Sequence, residues 1–87
     1  MGAQEIKGRK VGEVSHYFGN ISVAAINLEA SLKVGDEIRI VGYTTDFTET
    51  VDSMQIDNDA VEEAGAGDEI GIKVKDRVRV GDDVYVV

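Results

Sequence analysis

The sequence predicts an all-β protein, a small closed or partly open antiparallel β-barrel of about six strands. The main observation is a repeated phrase, in which a small apolar residue, Gly-Asp and a short strand follow one another at 34–40, 66–72 and 80–86. Apolar and polar residues alternate after each Gly-Asp pair, as they do in a strand with one buried face. The chain also has no long helical pattern and no proline.

The Gly-Asp pairs explain how such a sheet would turn. Glycine adopts a positive φ without steric cost, and we expect the aspartate to hydrogen-bond the backbone two residues further on. A chain that repeats a sharp turn and then a strand closes a sheet on itself.

In the first third of the chain we expect a polar lead-in at 1–10 and a first strand at 11–18. A tight turn at Gly19-Asn20 then leads to a second strand at 21–28. The apolar residues change parity within this second strand. Because one extra residue moves every following side chain to the other face, the change predicts a bulge there.

The remaining predicted strands are 37–41, 47–56, 69–75 and 84–87. The longest of them also changes parity, which predicts a bulge near Asp52-Ser53. Asp59 followed by Glu62 is the pattern of a helix cap, so one helical turn is expected at 59–64. A bend is expected around Asp76, before the last strand.

Size and composition limit the function classes. The 87 residues predict a single domain, at 11–87. There is no apolar run of about 18 residues and no secretory signal, so a cytoplasmic protein without a membrane partner is expected. Cysteine is absent, which excludes disulfides and a thiolate nucleophile.

The charge also limits the partners. A net charge of −8 repels phosphate, so no DNA partner is expected and an RNA contact needs a local cationic patch. Edge strands of an unclosed barrel invite pairing, whereas the acidic surface opposes it. We therefore expect a monomer or a weak homo-oligomer.

Two sets of segments carry a family resemblance. The order of the turns at 34–38 and 66–72 resembles the second, β-barrel domain of elongation factor Tu-type translational GTPases. The segments 42–47 and 51–56 resemble small stand-alone translation elongation factor-like proteins of archaea and bacteria. Those proteins are similar to the C-terminal barrel of collagenase-type peptidases.

The resemblance implies a barrel of the translation-factor domain 2 type that acts as a non-catalytic binding module. Its implied partners are ribosomal RNA, tRNA or a translation-related protein. The alternative is a protein-interaction accessory barrel like that of the collagenase-type peptidases, which would expose an apolar patch. No phosphate-binding loop of the form GxxxxGK[ST] is present, so neither GTPase activity nor a cofactor is expected.

The first candidate site is a basic series with period-two spacing, formed by Lys73, Lys75, Arg77 and Arg79. On one face of an extended segment these cations could follow a phosphate backbone. They could equally form the solvated outer face of a strand, paired with neighbouring carboxylates, and alternation of this kind favours that interpretation. Asp76 indicates a bend that would divide the series.

The second candidate site is the loop of Thr44, Thr45, Asp46 and Phe47. An aromatic ring beside hydroxyls and a carboxylate could hold a ligand or a stacked base. The same residue types also close turns through local hydrogen bonds, with the ring packed inward, and this chemistry favours the structural role.

Catalytic and metal sites are not predicted. His16 is the only histidine, and its parity with Phe18 favours a core or edge position over a general base. The acidic residues nearest to a calcium-loop pattern are Asp57, Asp59, Glu62 and Glu63. Val61 stands where that loop needs a ligand and Glu62 where it needs glycine.

Overall fold

The computed structural model describes residues 8–87, which form antiparallel β-structure with no helix in that range. The strands are β1 (Arg9–Phe18), β2 (Val23–Leu28), β3 (Leu32–Lys33), β4 (Glu37–Val41), β5 (Asp46–Thr50), β6 (Met54–Ile56), β7 (Asp59–Val61), β8 (Glu63–Ala64), β9 (Glu69–Lys73) and β10 (Asp83–Val86). The all-β prediction is confirmed. Arg9 and Lys10, which we assigned to the lead-in, belong to β1, and residues 1–7 of that segment lie outside the described residues.

Eight strands form one curled sheet in the order β5-β4-β10-β1-β2-β9-β6-β7, and the neighbours pair antiparallel. β3 and β8 form a second sheet of two strands. The curl brings the β5 end of the large sheet close to the chain that leaves β9, where Glu49 contacts Lys75. The result is a half-barrel in which β5 lies beside the chain that leaves β9 without a strand ladder between them.

One apolar core fills the concave side of the sheet. Its side chains come from alternate positions of the strands, as the period-two pattern requires. The core consists of Val11, Val14, Ala24, Ile26, Leu28, Leu32, Ile38, Ile40, Val51, Met54, Ala64, Ile70, Ile72, Val74, Val78 and Val84. Burial of this apolar surface is the main favourable contribution to folding.

The three Gly-Asp turns share one hydrogen-bonding pattern. In each, the aspartate carboxylate accepts the backbone N–H of the residue three positions earlier, and the aspartate N–H donates to the carbonyl of that same residue. These paired distances are 3.0 and 3.1 Å for Asp36 with Lys33, 2.9 and 3.0 Å for Asp68 with Gly65, and 2.9 and 3.0 Å for Asp82 with Arg79. The glycine φ angles are 98°, 93° and 95°. The carboxylate therefore reaches back three residues, and our expectation of a bond two residues forward was wrong.

Each turn is also bonded to a buried residue of another chain segment. The glycine N–H donates to the carbonyl of that residue, and the aspartate carbonyl accepts its N–H. The buried partners are Val51 for Gly35-Asp36, Leu28 for Gly67-Asp68 and Val14 for Gly81-Asp82, at 2.8–2.9 Å in every case. We call this arrangement the Gly-Asp clamp. The clamp fixes the shape of the turn and also fixes which core residue lies opposite it.

Asp82 shows how tightly one clamp is packed. Its side chain is buried, which is rare for a carboxylate and requires hydrogen bonds. Gly42, directly after β4, lies against it, and a methyl group at Gly42 would collide with Asp82 Oδ1. The close approach therefore requires glycine at position 42.

The predicted bulge exists, but it lies in β1. Val14 pairs with Ile26 and His16 pairs with Ala25, so Ser15 is the extra residue. β2 itself alternates regularly, because Ile21 lies in the turn before it and is exposed. The sequence pattern of one strand cannot show which of two paired strands carries the extra residue. After the bulge, His16 and Phe18 face solvent, and Tyr17 packs against the core.

The predicted helical turn at 59–64 was wrong. This segment forms β7 and β8, and a two-residue turn at Asp57-Asn58 joins β6 to β7. Both turn residues have positive φ, 51° and 69°, which matches the twist of the strands in a tight hairpin. Pairing with β6 therefore outweighed the local capping pattern. The predicted strand 47–56 with a bulge near Asp52-Ser53 was also wrong, because the chain leaves the sheet there and forms two strands, β5 and β6, which pair with different neighbours. The bend at Asp76 is confirmed.

The clamp predicts different effects for two glycines that are two residues apart. Gly67 has a φ of 93°, Gly65 has no positive φ, and a methyl group at either would meet nothing within 4 Å. We expect Gly67→Ala to lower the free energy of unfolding by roughly 1–3 kcal/mol through backbone strain alone. Gly65→Ala should leave it unchanged or raise it by up to ~1 kcal/mol. Urea denaturation of both variants tests this, and equal losses would contradict the proposed role of the positive φ.

Candidate binding surfaces

The four residues of the basic series are all exposed, and the chain places them on different surfaces. Lys73 ends β9, Lys75 lies in the bend, and Arg77 and Arg79 follow it. Val74 and Val78 between them are buried. Two ion pairs form among residues 8–87, Lys10 with Asp83 and Arg39 with Asp46, and neither includes the series.

Only Lys73 and Lys75 lie in a common groove, which has a volume of about 600 Å³. We call it the seam groove, because it lies between β5 and the chain that leaves β9. It is lined by Glu37, Thr48, Glu49, Thr50, Asp52, Lys73, Val74 and Lys75. Three carboxylates and two ammonium groups therefore share it. This mixture of charges does not form the cationic stripe that a phosphate backbone would require.

Glu49 bridges the seam groove. Its Oε1 accepts the backbone N–H of Lys75 at 2.8 Å, where a closed barrel would have a strand carbonyl. Partial burial raises the pKa of the Glu49 carboxyl, and the hydrogen bond and charge of Lys75 offset part of that rise. Burial therefore disfavours the ionised form of the Glu49 carboxylate, whereas the hydrogen bond from the Lys75 backbone amide stabilises it.

The residues of the predicted 44–47 site are engaged within the protein. Thr45 is buried, and its carbonyl accepts the N–H of Gly42 at 2.7 Å. Asp46 forms two hydrogen bonds with Arg39, both 2.8 Å, and this bidentate pair lowers the pKa of the Asp46 carboxyl. Phe47 packs against the core. Thr44 and Asp46 are exposed, and Asp46 is held by its pair with Arg39.

His16 is exposed on the convex side of the sheet. Its ring lies 5.8 Å from the ring of Phe18, with the planes tilted by 36°. Its Nδ1 is 2.6 Å from the carbonyl of Ser15. Across residues 8–87, no three His, Cys, Asp or Glu side chains are grouped so that they could hold a metal ion.

Sequence reasoning missed a groove of about 420 Å³ on the convex side, which apolar and polar residues line together. Its apolar lining consists of Phe18, Ile21, Val23, Ala25 and the buried Ile70, and Gly71 lies beside them. We call Phe18, Ile21, Val23 and Ala25 the outer-face patch. Phe18 is 44% exposed and Ile21 is 54% exposed. The signal was the parity change that we assigned to a bulge in β2. The actual bulge at Ser15 turns Phe18 outward, beside the exposed Ile21.

The rim of this groove is acidic. Asp57 and Glu69 line it together with Gln55 and Asn58, and no Lys or Arg is among its lining residues. Glu69 also accepts a hydrogen bond from the Ser15 hydroxyl at 2.6 Å. An apolar floor with a polar, charged rim is the composition of many protein–protein contact sites.

Comparison with known proteins connects the chain to proteases. No family model matches it. Over 86 residues, 98% of this chain, it is 41% identical to an uncharacterized protease of Methanocaldococcus jannaschii. Over 77 residues, 86% of this chain, it is 38% identical to a collagenase of Porphyromonas gingivalis. The chain spans about a fifth of the length of these relatives, 21% in both cases.

Solved structures show the same fold. The C-terminal domain of a putative U32 peptidase from Geobacillus thermoleovorans superposes with a TM-score of 0.84 at 18% identity, covering 88% of this chain and 98% of that one. A second crystal structure of that domain gives 0.85 at 16% identity and covers 99% of both chains. The barrel prediction is thereby confirmed, and the resemblance to the barrel of collagenase-type peptidases is supported.

The predicted translation function was wrong. The relatives and solved structures named above are proteases and a peptidase domain, which support the collagenase-type alternative instead. The Gly-Asp turns that carried the elongation-factor resemblance specify a backbone geometry that barrels of different function can share. Residues 8–87 contain no helix long and apolar enough to cross a membrane.

The burial of Glu49 predicts a pH dependence of stability. Its folded-state pKa lies above that of the unfolded chain, so between the two values the folded protein binds more protons and stability falls as pH rises. Because Glu49 is only partly buried, we expect a loss of roughly a few tenths of a kcal/mol across this window. Glu49→Gln should remove this component. Urea denaturation of both proteins at several pH values above about 4 measures the difference, and a difference that is constant with pH would contradict the assignment.

Proposed function

We propose that this chain is a non-catalytic, protein-binding accessory barrel that works with the catalytic region of a collagenase-type peptidase. The observation that carries the proposal is the extent of the similarity. It covers 98% of this chain but only 21% of the M. jannaschii protease. The chain therefore corresponds to one module of such a protease, and the other four fifths provide room for a separate catalytic region.

The structure supports a module that can fold by itself. Residues 8–87 enclose one apolar core, and the Gly-Asp clamps that fix its turns lie entirely within this range. The Geobacillus chain with the same fold is likewise a C-terminal domain of a larger peptidase. A domain with its own core, attached to an enzyme, contributes through its surface.

The outer-face patch is the surface that best fits this role. Phe18 and Ile21 are aromatic and aliphatic groups of the kind that anchor protein interfaces. Asp57 and Glu69 on the rim favour a partner with basic residues around an apolar centre. An exposed apolar patch is also what the accessory-barrel alternative predicted from the sequence.

The module can be tested by exchange in the P. gingivalis collagenase, whose aligned segment is 38% identical to this chain. Three forms would be compared on collagen: the intact enzyme, the enzyme without its aligned segment, and a chimera that carries this chain instead. We expect the deletion to lower collagen cleavage by tenfold or more and the chimera to recover most of it. This chain alone should cleave nothing.

Variants of the chimera locate the contact. We expect the double change Phe18→Ser and Ile21→Ser to abolish the recovery, because it removes the apolar anchors. Val80→Ser is the matched control, since Val80 is 69% exposed and lies outside the patch. A chimera no better than the deletion, or collagen cleavage by this chain alone, would overturn the proposed function. Equal losses in the two variants would overturn the assignment to the outer-face patch.

A further inference from the structure

One wall of the seam groove is the free edge of a strand. β5 stands at the end of the eight-stranded sheet and pairs only with β4 among the described residues. The N–H of Gly42 donates to the carbonyl of Thr45, and the N–H of Val51 donates to the carbonyl of Asp36. These two bonds show which residues of β5 direct their backbone groups toward β4. Antiparallel bonding alternates, so Thr48 and Thr50 direct their N–H and carbonyl groups away from β4.

The opposite wall is also a backbone edge. β9 pairs with β6 at Ile72 and Gly71, and the chain continues through Lys73, Val74 and Lys75 without a partner strand on that side. Val74 donates its N–H to the carbonyl of Ser22 at 2.9 Å, on the β2 side. By alternation, the N–H groups of Lys73 and Lys75 face the seam groove. Three consecutive residues of each segment line the groove, as expected when two strand edges face each other.

Glu49 occupies the position of a missing strand. Its carboxylate accepts the N–H of Lys75, which a neighbouring strand would otherwise bond through a carbonyl. A side chain can satisfy one such group, whereas the outward groups of Thr48 and Thr50 have no backbone partner among the described residues. Unpaired edge groups of this kind are a template for another extended chain.

We propose that the seam groove binds an extended segment of another polypeptide, which adds to β5 as a further strand and displaces Glu49 from the Lys75 amide. An extended backbone is the chemistry that complements alternating N–H and carbonyl groups along an edge. β5 is five residues long, so the segment would pair over about three to five residues. Small polar or β-branched side chains would fit beside the two threonines.

A partner peptide fits this edge better than a second copy of the chain. Antiparallel pairing of β5 with itself would bring together two molecules that each have a net charge of −8. Repulsion between molecules of like charge opposes such an association. A segment of another protein need not carry a negative charge. If it has acidic groups, Lys73 and Lys75 on the other wall can form ion pairs with them.

The proposal can be tested by NMR titration with the capped peptide acetyl-Thr-Val-Thr-Val-Thr-amide at concentrations up to several millimolar. We expect chemical-shift changes confined to 46–50 and 73–75. A version N-methylated at alternate residues loses the N–H groups of one edge and should bind about tenfold more weakly or not at all. No localised shift, equal binding of the N-methylated peptide, or shifts at the outer-face patch would overturn the proposal.

Three variants identify the edge. Thr48→Pro removes an N–H that points away from β4, which an edge strand tolerates, and should abolish binding, whereas Thr48→Val keeps the N–H and should bind normally. Glu49→Ala opens the groove and should strengthen binding several-fold. Circular dichroism confirms that each variant is folded. Unchanged binding in Thr48→Pro or in Glu49→Ala would contradict the site, and sedimentation showing a β5-dependent dimer would assign the edge to a second copy.

This inference does not depend on the proposed function. The seam groove and the outer-face patch share no lining residue. Loss of collagen cleavage in the Phe18 and Ile21 variant and loss of peptide binding in the Thr48 variant are therefore separate outcomes.

Discussion

The fold depends on the Gly-Asp clamp, which occurs three times with the same geometry. In each copy, an aspartate closes its own turn, and the turn is bonded through two backbone hydrogen bonds to a buried residue of another segment. Those residues are Val14, Leu28 and Val51. Because they belong to the core, the turns cannot shift without disturbing packing. The clamp thus couples local turn chemistry to the register of the whole sheet.

The same constraint explains why the barrel is incomplete. The clamps fix where β4, β9 and β10 begin, but none of them lies between β5 and the chain that leaves β9. At that seam a single Glu49 side chain replaces a ladder. The molecule therefore has two surfaces of different chemistry, a polar groove bounded by strand edges and an apolar patch on the convex side. These are the two surfaces that we propose to bind polypeptide.

The functional error has a physical origin in the turn motif. Gly-Asp turns recur wherever a barrel needs a positive φ followed by a strand, so they identify a geometry and not a partner. The segments 42–47 and 51–56 were more informative, because the stand-alone elongation factor-like proteins that they resemble are similar to the barrel of collagenase-type peptidases. The basic series was a weaker signal. Its spacing is that of any strand with a solvated face, and the bend at Asp76 separates Lys73 and Lys75 from the two arginines.

The sequence by itself determined the three turns, the all-β class and the strand 37–41, because a positive φ and period-two burial are properties of a few adjacent residues. Only the tertiary structure decided where strands pair. The bulge at Ser15, the Asp57-Asn58 hairpin and the open seam at Glu49 each depend on a partner at least several residues away. A bulge is an extra residue in one of two paired strands, and the seam is a place where two chain segments lie side by side without backbone hydrogen bonds between them. The parity change in the sequence indicated a bulge but not which of the two paired strands carries it, and no pattern in the sequence indicated the seam. Both proposed binding surfaces arise from these two features.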